Sequence, residues 1–227
     1  MTEKNLKPGW KVWRFDQIAT NVNVRIDNPS ESGMEHYVGL EHLDPESLRI
    51  RRWDSPYDVE ATKLVFNKGD IIFGRRRAYQ RKLGVAEFDG ICSAHAMVLR
   101  AKPEVVLPEF LPFFMQSDLF MNRAVEISVG SLSPTINWKT MAAQEFAFPP
   151  IEEQLTLLNL FTAIAESFEY ISNAIHAADR NLTVIRDRLL WGEGAIQPVV
   201  DTSIGPLPKS WSAGTVGEYV DFQGGSQ

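Results

Sequence analysis

The pattern of apolar and polar positions is most regular between Ile151 and Trp191. No proline or glycine interrupts this stretch, which follows Pro149 and Pro150 and precedes Gly192. Proline is tolerated at the start of a helix and glycine favours its end, so the pattern predicts one uninterrupted helix over 151–191. At about 1.5 Å per residue, such a helix is roughly 60 Å long.

The second half of this predicted helix carries an apolar seam. The spacing between its members alternates between three and four residues, which is typical of a coiled coil. The members of the seam are Phe168, Ile171, Ile175, Ala178, Leu182, Ile185 and Leu189. A helix with one apolar face needs a surface that buries it, and no other stretch predicts a comparable helix. We therefore expect the seam to pair with another chain, whereas packing against its own domain would cover the first turns of the helix at most.

Residues 1–150 predict a different kind of structure, a β-rich α+β unit. Short apolar segments separated by Gly, Pro, Asn and Asp predict strands. These segments are 12–15, 22–26, 36–40, 48–50, 64–66, 71–73, 83–86, 94–99 and 145–148. Residues 108–125 predict a single helix, in which Pro112 is early enough to be tolerated.

The C-terminal residues repeat the N-terminal ones. Leu207-Pro208-Lys209-Ser210-Trp211 resembles Leu6-Lys7-Pro8-Gly9-Trp10, and the apolar residues that follow align at the same offset. Chance could produce so short a match, but the constant offset favours a true repeat. We therefore divide the chain into 1–150, 151–191 and 192–227, where the last part is a linker and the truncated start of a second unit.

Composition narrows the class of protein. Hydrophobic residues make up 44% and charged residues 23% of the chain, as in globular proteins. No apolar run is long enough to span a bilayer, and the N-terminus lacks the apolar core of a signal peptide. Cys92 is the only cysteine, which excludes an internal disulfide framework. We expect a cytoplasmic protein without membrane insertion.

Positive charge is concentrated in one short segment. The net charge is −6, so a nucleic-acid site must be a local basic patch. The densest cationic segment contains Arg75, Arg76, Arg77, Tyr79, Gln80, Arg81 and Lys82. Arginine donates two parallel hydrogen bonds to phosphate or guanine, Tyr79 can stack, and Gln80 can pair with adenine. The alternative is a solvated charged face with ion pairs. Three consecutive arginines cannot share one face of a strand, so we expect some of them to be structural.

A second polar cluster follows the predicted helix at 108–125. Its members are Ser131, Ser133, Thr135, Asn137 and Lys139. Small hydroxyls, an amide and a lysine on a loop suit phosphate positioning. Equally, Ser133 or Asn137 could cap a following helix. Arg25, Arg51 and Arg52 are weaker candidates for nucleic-acid contact.

The sequence contains no recognised catalytic motif. It has no P-loop, no glycine-rich dinucleotide turn and no nucleophile elbow. Its histidines show no spacing that suggests metal ligands, and Trp10, Trp13, Trp138 and Trp211 are expected to be core aromatics rather than stacking platforms. We expect no catalysis, no metal and no cofactor in this chain alone.

These residues resemble a known family. The segment 69–73, the cationic segment after it, and 88–93 are similar to a target recognition domain of type I restriction-modification specificity (S) subunits. Residues 130–136 and then 146–154 resemble that family's passage into its long helix. Residues 207–211 resemble the start of its second recognition domain.

The resemblance implies a non-catalytic DNA-recognition subunit. In this family each recognition domain reads one half of a split double-stranded DNA target, and two antiparallel long helices set the spacer between the halves. Methylation (M) subunits bring S-adenosylmethionine, and restriction (R) subunits bring ATP-driven cleavage with Mg²⁺. Carried over to this chain, the cationic segment and the loop 131–137 would lie at the DNA, and 151–191 would be the ruler and docking surface.

The sequence departs from that family because the second recognition domain is truncated and the second helix is missing. The unpaired seam therefore predicts a homodimer that reads a symmetric split site. The alternative is a fragment that stays monomeric. Two rival functions remain open: a structural adaptor that acts only through its coiled-coil helix, and an enzyme, such as a nuclease, with an unfamiliar site.

Overall fold

The computed structural model describes residues 6–191, 199–202, 205–208 and Gly214. The chain divides into two compact units, Met1–Thr162 and Ala163–Gln227. No helix in these described ranges is both long enough and apolar enough to cross a membrane.

The first unit is built on two four-stranded sheets. The first sheet has the order β2 (Ala19–Val22), β9 (Ala96–Ala101), β6 (Ile71–Gly74), β7 (Leu83–Val85), and all its neighbours are antiparallel. The second sheet has the order β3 (Arg25–Ile26), β5 (Lys63–Phe66), β8 (Gly90–Ser93), β4 (Tyr37–Val38). In it, β4 and β8 are parallel. A separate antiparallel pair joins β1 (Lys11–Arg14) to β10 (Glu145–Phe148).

The first sheet is buried on both faces. Successive side chains of a strand point to opposite faces, and in β6 Ile71 and Phe73 contribute to one core cluster while Ile72 contributes to another. The first cluster is completed by the helices α1 (Phe15–Ile18), α2 (Phe110–Gln116), α3 (Asp118–Glu126) and α4 (Trp138–Ala142). The second cluster lies between the two sheets and includes Cys92. Burial there raises the pKa of the Cys92 thiol well above its usual range, with a smaller contribution from Asp70.

The predicted helix at 108–125 is in fact two helices. Ser117 has an extended backbone (φ −63°, ψ 152°) that ends α2. Its hydroxyl accepts a hydrogen bond from the Phe120 amide at 3.3 Å and so caps α3. Serine is a favoured residue at the start of a helix, which explains why the chain breaks here.

Two strand predictions also differ from the structure. The segment 48–50 forms only an isolated bridge, between Arg49 and Val85, rather than a strand. Conversely, the sequence pattern predicts no strand over 90–93, yet these residues form β8, which begins at Gly90. A Cβ atom at Gly90 would lie 2.7 Å from the His36 carbonyl oxygen. This glycine therefore permits close approach of a neighbouring backbone rather than a reversal of the chain.

The long helix is confirmed as α5 (Ile151–Trp191). Its first turns belong to the first unit, where Leu157, Leu158 and Phe161 pack against the core. The Phe161 ring is stacked on the Phe110 ring, with centroids 6.4 Å apart. The prediction that the first turns pack on their own domain therefore agrees with these contacts.

The second unit contains the remainder of α5 and an antiparallel hairpin of β11 (Val199–Thr202) and β12 (Gly205–Pro208). Along this part of α5, Phe168 is 70% exposed and Leu182 is 65% exposed. The seam residues Ile171, Ile175, Ala178 and Ile185 are exposed as well. The side chain of Leu189 and most of the predicted repeat, including Trp211, lie outside the described residues.

Candidate nucleic-acid interface

The cationic segment does not form a strand, as the sequence suggested, but a turn. Strand β6 ends at Gly74, and Ala78–Gln80 form a short 3-10 helix. Arg77 and Arg81, on either side of that helix, have left-handed backbones with φ of 57° and 53°. Each such residue that is not glycine costs about 1 kcal/mol. The turn therefore distributes the arginine side chains in different directions, at a cost in backbone strain.

Ser133 joins the two polar clusters that the sequence singled out. Its hydroxyl oxygen accepts hydrogen bonds from Arg76 Nη2 at 3.2 Å and from Arg77 Nε at 3.3 Å. The backbones are also linked, because the Arg77 amide donates to the Pro134 carbonyl at 2.7 Å and the Ile136 amide donates to the Arg75 carbonyl at 2.9 Å. Two segments that are far apart in sequence thus form one surface, which we call the basic face: Arg75, Arg76, Arg77 and the loop 129–135.

The basic face carries a positive potential that acts on His95. Arg76 Nη1 lies 3.5 Å from His95 Nε2. Partial burial, and then the charges of Arg76 and Arg75, lower the pKa of His95 below its ordinary value. Among the described residues, the side-chain partners of Arg76 are a hydroxyl and an imidazole. These contacts orient the guanidinium, and no carboxylate of the described residues pairs with its charge.

Arg81 and Lys82 have different surroundings. The Arg81 guanidinium donates to Asp118 Oδ1 at 2.8 Å and to the Gln116 carbonyl at 2.6 Å, and Glu46 lies 3.6 Å away. Lys82 Nζ donates to the Leu40 carbonyl at 2.8 Å. Both side chains therefore hold parts of the fold together, and their predicted role at DNA stays a prediction.

The other residues predicted to contact DNA also fall into two groups, exposed side chains and side chains that make contacts within the fold. Tyr79 is 54% exposed, whereas Gln80 is half-buried. Asn137 Oδ1 accepts from the Lys139 amide at 2.9 Å, so Asn137, rather than Ser133, is the helix cap, at the start of α4. Thr135 pairs with Val129 across the loop, Ser131 and Lys139 are exposed, and Leu132 at the loop tip is 90% exposed. The weaker candidates Arg51 and Arg52 form ion pairs with Asp44.

A polar cleft lies beside the basic face. It has a volume of about 240 Å³ and is lined by Asn21, Asn23, Arg25, Thr62, Arg75 and Trp138, among others. Of these, the sequence analysis had considered only Arg25 and Arg75 as contacts. The sequence carried no signal for Asn21, because the predicted strand at 22–26 excludes it and only the structure places it in β2 (Ala19–Val22).

Two carboxylates and a histidine outside this region lie close enough together to suggest a metal site. The ligand atoms of Glu41, His42 and Asp54 lie within 4.8 Å of one another. His42 Nδ1 accepts from the Gly39 amide at 3.0 Å, and His42 Nε2 lies 3.4 Å from Asp54 Oδ2. Both ring nitrogens are thus engaged within the protein, and we assign no metal to this group.

Comparisons with known proteins agree with the resemblance drawn from the sequence. The family model of the type I restriction modification DNA specificity domain matches residues 52–179. The specificity subunit of the type I restriction enzyme EcoDI from Escherichia coli is 27% identical over 180 residues, which is 77% of this chain and 39% of that protein.

Solved structures confirm the fold class, α+β with a long helix. The HsdS subunit from Thermoanaerobacter tengcongensis is similar with a TM-score of 0.63 and 25% identity, over 87% of this chain and 54% of that one. A chain from a structure of a type I R-M system has a TM-score of 0.65 and 24% identity, over 86% of this chain and 53% of that one. The chain therefore spans about half the length of these solved proteins and less than half of the E. coli relative.

Proposed function

Because the chain belongs to the type I restriction modification DNA specificity domain family, we propose that it recognises one half of a split DNA target for a type I restriction-modification complex. The observation that carries this proposal is the basic face. In a chain with a net charge of −6, three consecutive arginines are gathered on one loop-framed surface. Ser133 orients two of them before any ligand binds, which reduces the entropy lost on binding.

The basic face suits duplex DNA in two ways. A guanidinium that is oriented but not neutralised can donate to phosphate oxygens, which hold a protein in register on the duplex. Exposed side chains that project from the turn, such as Arg77 and Tyr79, can reach base edges in a groove. A structural adaptor would need neither property, which makes this alternative the weaker one.

In this proposal the chain does no chemistry of its own. Methylation subunits bring S-adenosylmethionine, restriction subunits bring ATP and Mg²⁺, and the chain supplies sequence recognition in the compartment that holds the DNA, the cytoplasm. Helix α5 offers these subunits an exposed surface, since nearly all its residues from 163 to 188 are exposed.

We further propose that a second copy of the chain pairs with the apolar seam of α5. The seam exposes Phe168, Ile171, Ile175, Leu182 and Ile185 to more than half of their full extent. Such a stripe on an isolated helix is unfavourable in water, and two antiparallel copies would bury each other's seam. The pair would present two identical recognition surfaces and read a symmetric split site.

The target can be found by mapping methylated adenines across the genome of cells that carry the chain and its methylation subunits, beside cells that lack the chain. A split motif that depends on the chain is expected, and two identical inverted halves would support the paired arrangement. No methylation that depends on the chain would contradict the proposed function.

With the motif known, Arg76→Ala tests the basic face. We expect weaker binding to every duplex and a salt dependence (log affinity against log salt) whose slope falls by about 1, because one phosphate contact is lost. Stability should change by no more than about 0.5 kcal/mol. Arg123→Ala, which removes an exposed arginine from α3, is the control with the same change in charge. Equal affinities for both variants and the wild type would refute the role of Arg76.

A further inference from the structure

The polar cleft lies where the two sheets of the first unit meet the end of β6. Asn21 comes from β2, Arg25 from β3, and Arg75 follows β6, while Trp138 and the buried Met97 provide apolar lining. Among the described residues no carboxylate lines the cleft, and two guanidinium groups do. Its lining is therefore cationic and rich in hydrogen-bond donors.

Two of these donors lack partners. Arg75 Nε is buried and has no hydrogen bond within the part of the chain that the structure describes. The half-buried amide of Asn21 makes no hydrogen bond with any described residue either. Buried donors are normally satisfied, so an unsatisfied one calls for an explanation. By contrast, Arg81 in the same segment has two hydrogen bonds and two acidic neighbours.

Three other polar side chains of the cleft, those of Asn23, Arg25 and Thr62, form hydrogen bonds with neighbours. Arg25 Nε donates to Asn23 Oδ1 at 3.3 Å, and Thr62 donates to Asp27 Oδ1 at 2.8 Å. These contacts restrict the side chains around the free donors. A ligand that supplies acceptor oxygens would therefore meet unpaired donors and two positive charges.

We propose that this cleft is a binding site for one phosphate of the DNA backbone, contacted by Arg75 and Asn21. This inference rests on the proposed function. The concave shape of the cleft favours a contact with the DNA backbone over a contact with a base. Base edges lie at the floor of a major groove about 8.5 Å deep, and a protein reaches them with protruding side chains. A cleft instead receives a part of the DNA that protrudes, and the phosphates do. Arg76 and Arg77, next in the chain, then follow the same strand, while the exposed turn and loop are left for base contacts.

The experiment uses the full chain with its methylation subunits and duplexes that carry its motif. In each duplex one phosphate is replaced by a neutral methylphosphonate, and the substitution is moved along both strands. For the wild type, we expect one position near the basic face where the substitution weakens binding about 10-fold, as for a hydrogen bond to a charged group.

The variants Arg75→Ala and Asn21→Ala should bind the unmodified duplex more weakly, Arg75→Ala by about 10-fold. The same methylphosphonate should have almost no further effect on Arg75→Ala and a smaller effect on Asn21→Ala than on the wild type, because Arg75 still contacts the phosphate in that variant. Arg75→Lys should retain the salt dependence of the wild type but lose part of its affinity, because lysine keeps the charge and lacks the forked donors. Arg123→Ala should respond to every substitution as the wild type does. Asn21→Ala keeps the test decisive if Arg75→Ala fails to fold, since the Asn21 side chain makes no hydrogen bond with the described residues.

Three results would overturn the proposal. Both variants could lose as much affinity as the wild type when the same phosphate is replaced. Alternatively, they could prefer a different base sequence with an unchanged salt dependence, in which case the cleft reads bases. Finally, free inorganic phosphate could inhibit DNA binding by the wild type and by Arg75→Ala to the same extent. That result would place the phosphate contact elsewhere. A wild-type complex that binds no duplex at all would instead refute the proposed function itself.

Discussion

The cationic segment shows that the role of an arginine depends on which acceptors its backbone brings within reach. Arg77 and Arg81 have nearly the same backbone conformation at opposite ends of one short helix. Arg77 contacts a serine hydroxyl, whereas Arg81 contacts Asp118 and a carbonyl from α2. The first arginine keeps its charge available to a ligand, and the second one joins the turn to two helices.

We therefore predict that Arg81→Ala lowers the free energy of unfolding by about 1–2 kcal/mol. The lost hydrogen bonds to charged groups are strong, but Asp118 is exposed and solvent screens the pair. The affinity of the folded variant for DNA should change little. Urea denaturation and DNA titration of the same samples measure the two effects, and Arg77→Ala is the matched comparison. If Arg81→Ala weakened binding and left stability unchanged, Arg81 would belong to the basic face after all.

The residue scale was the hardest to predict from the sequence. The cluster of arginines was visible, but the partner of Arg81 is 37 residues away and Ser133 is 57 residues from Arg76. Sequence spacing does not reveal such contacts, because they depend on how strands and loops pack. The role of Asn137 as a cap was easier to foresee, since capping is a local interaction.

At the scale of elements, the best-defined junction is the first turn of α5. Gln154 is completely buried, its Nε2 donates to the Val105 and Pro149 carbonyls, both at 3.0 Å, and its Oε1 accepts from the Leu107 amide at 2.9 Å. One side chain thus satisfies three backbone groups from two segments. The helix is fixed to the domain by this amide as well as by the apolar contacts of Leu157 and Phe161.

Replacement of Gln154 by methionine should therefore be costly although the two side chains have similar size. The change leaves three backbone groups without partners, and we expect a loss of about 3 kcal/mol in the free energy of unfolding. Asn159→Met, at an exposed position of the same helix, should have almost no effect. Urea denaturation of both variants is the measurement, and a similar small loss in both would show that water replaces the Gln154 contacts.

Elements with a strong period were predictable, and short ones were not. Helix α5 has the bounds that its proline and glycine neighbours indicated, and the segment 71–73 lies within β6. By contrast, β8 was missed because a glycine that allows close packing resembles a glycine in a turn. Ser117 is a capping residue type, but the apolar pattern continues across it and predicts one helix where the chain forms two.

At the scale of the whole molecule, the exposed seam of α5 predicts self-association. Sedimentation of the wild type at micromolar concentration should give twice the mass of one chain. Ile175→Glu should give a monomer, because a charge in the middle of an apolar interface is costly. Asn173→Glu places the same charge on the opposite side of the helix and should leave the dimer intact.

This prediction concerns assembly alone, and DNA binding by the first unit is a separate matter. A wild-type chain that is monomeric at high micromolar concentration would rule out the paired arrangement. The basic face and the cleft would be unaffected by that result, because both lie within the first unit.

The burial of Cys92 has a practical consequence for all such measurements. It is the only cysteine in the sequence, it is fully buried between the two sheets, and its raised thiol pKa suppresses the reactive thiolate. A cysteine introduced on the surface of the folded protein would therefore be modified selectively by maleimide dyes or spin labels, with the native thiol left in place. Distances between labels on α5 and on the turn at 75–81 can thus be measured without first altering the core.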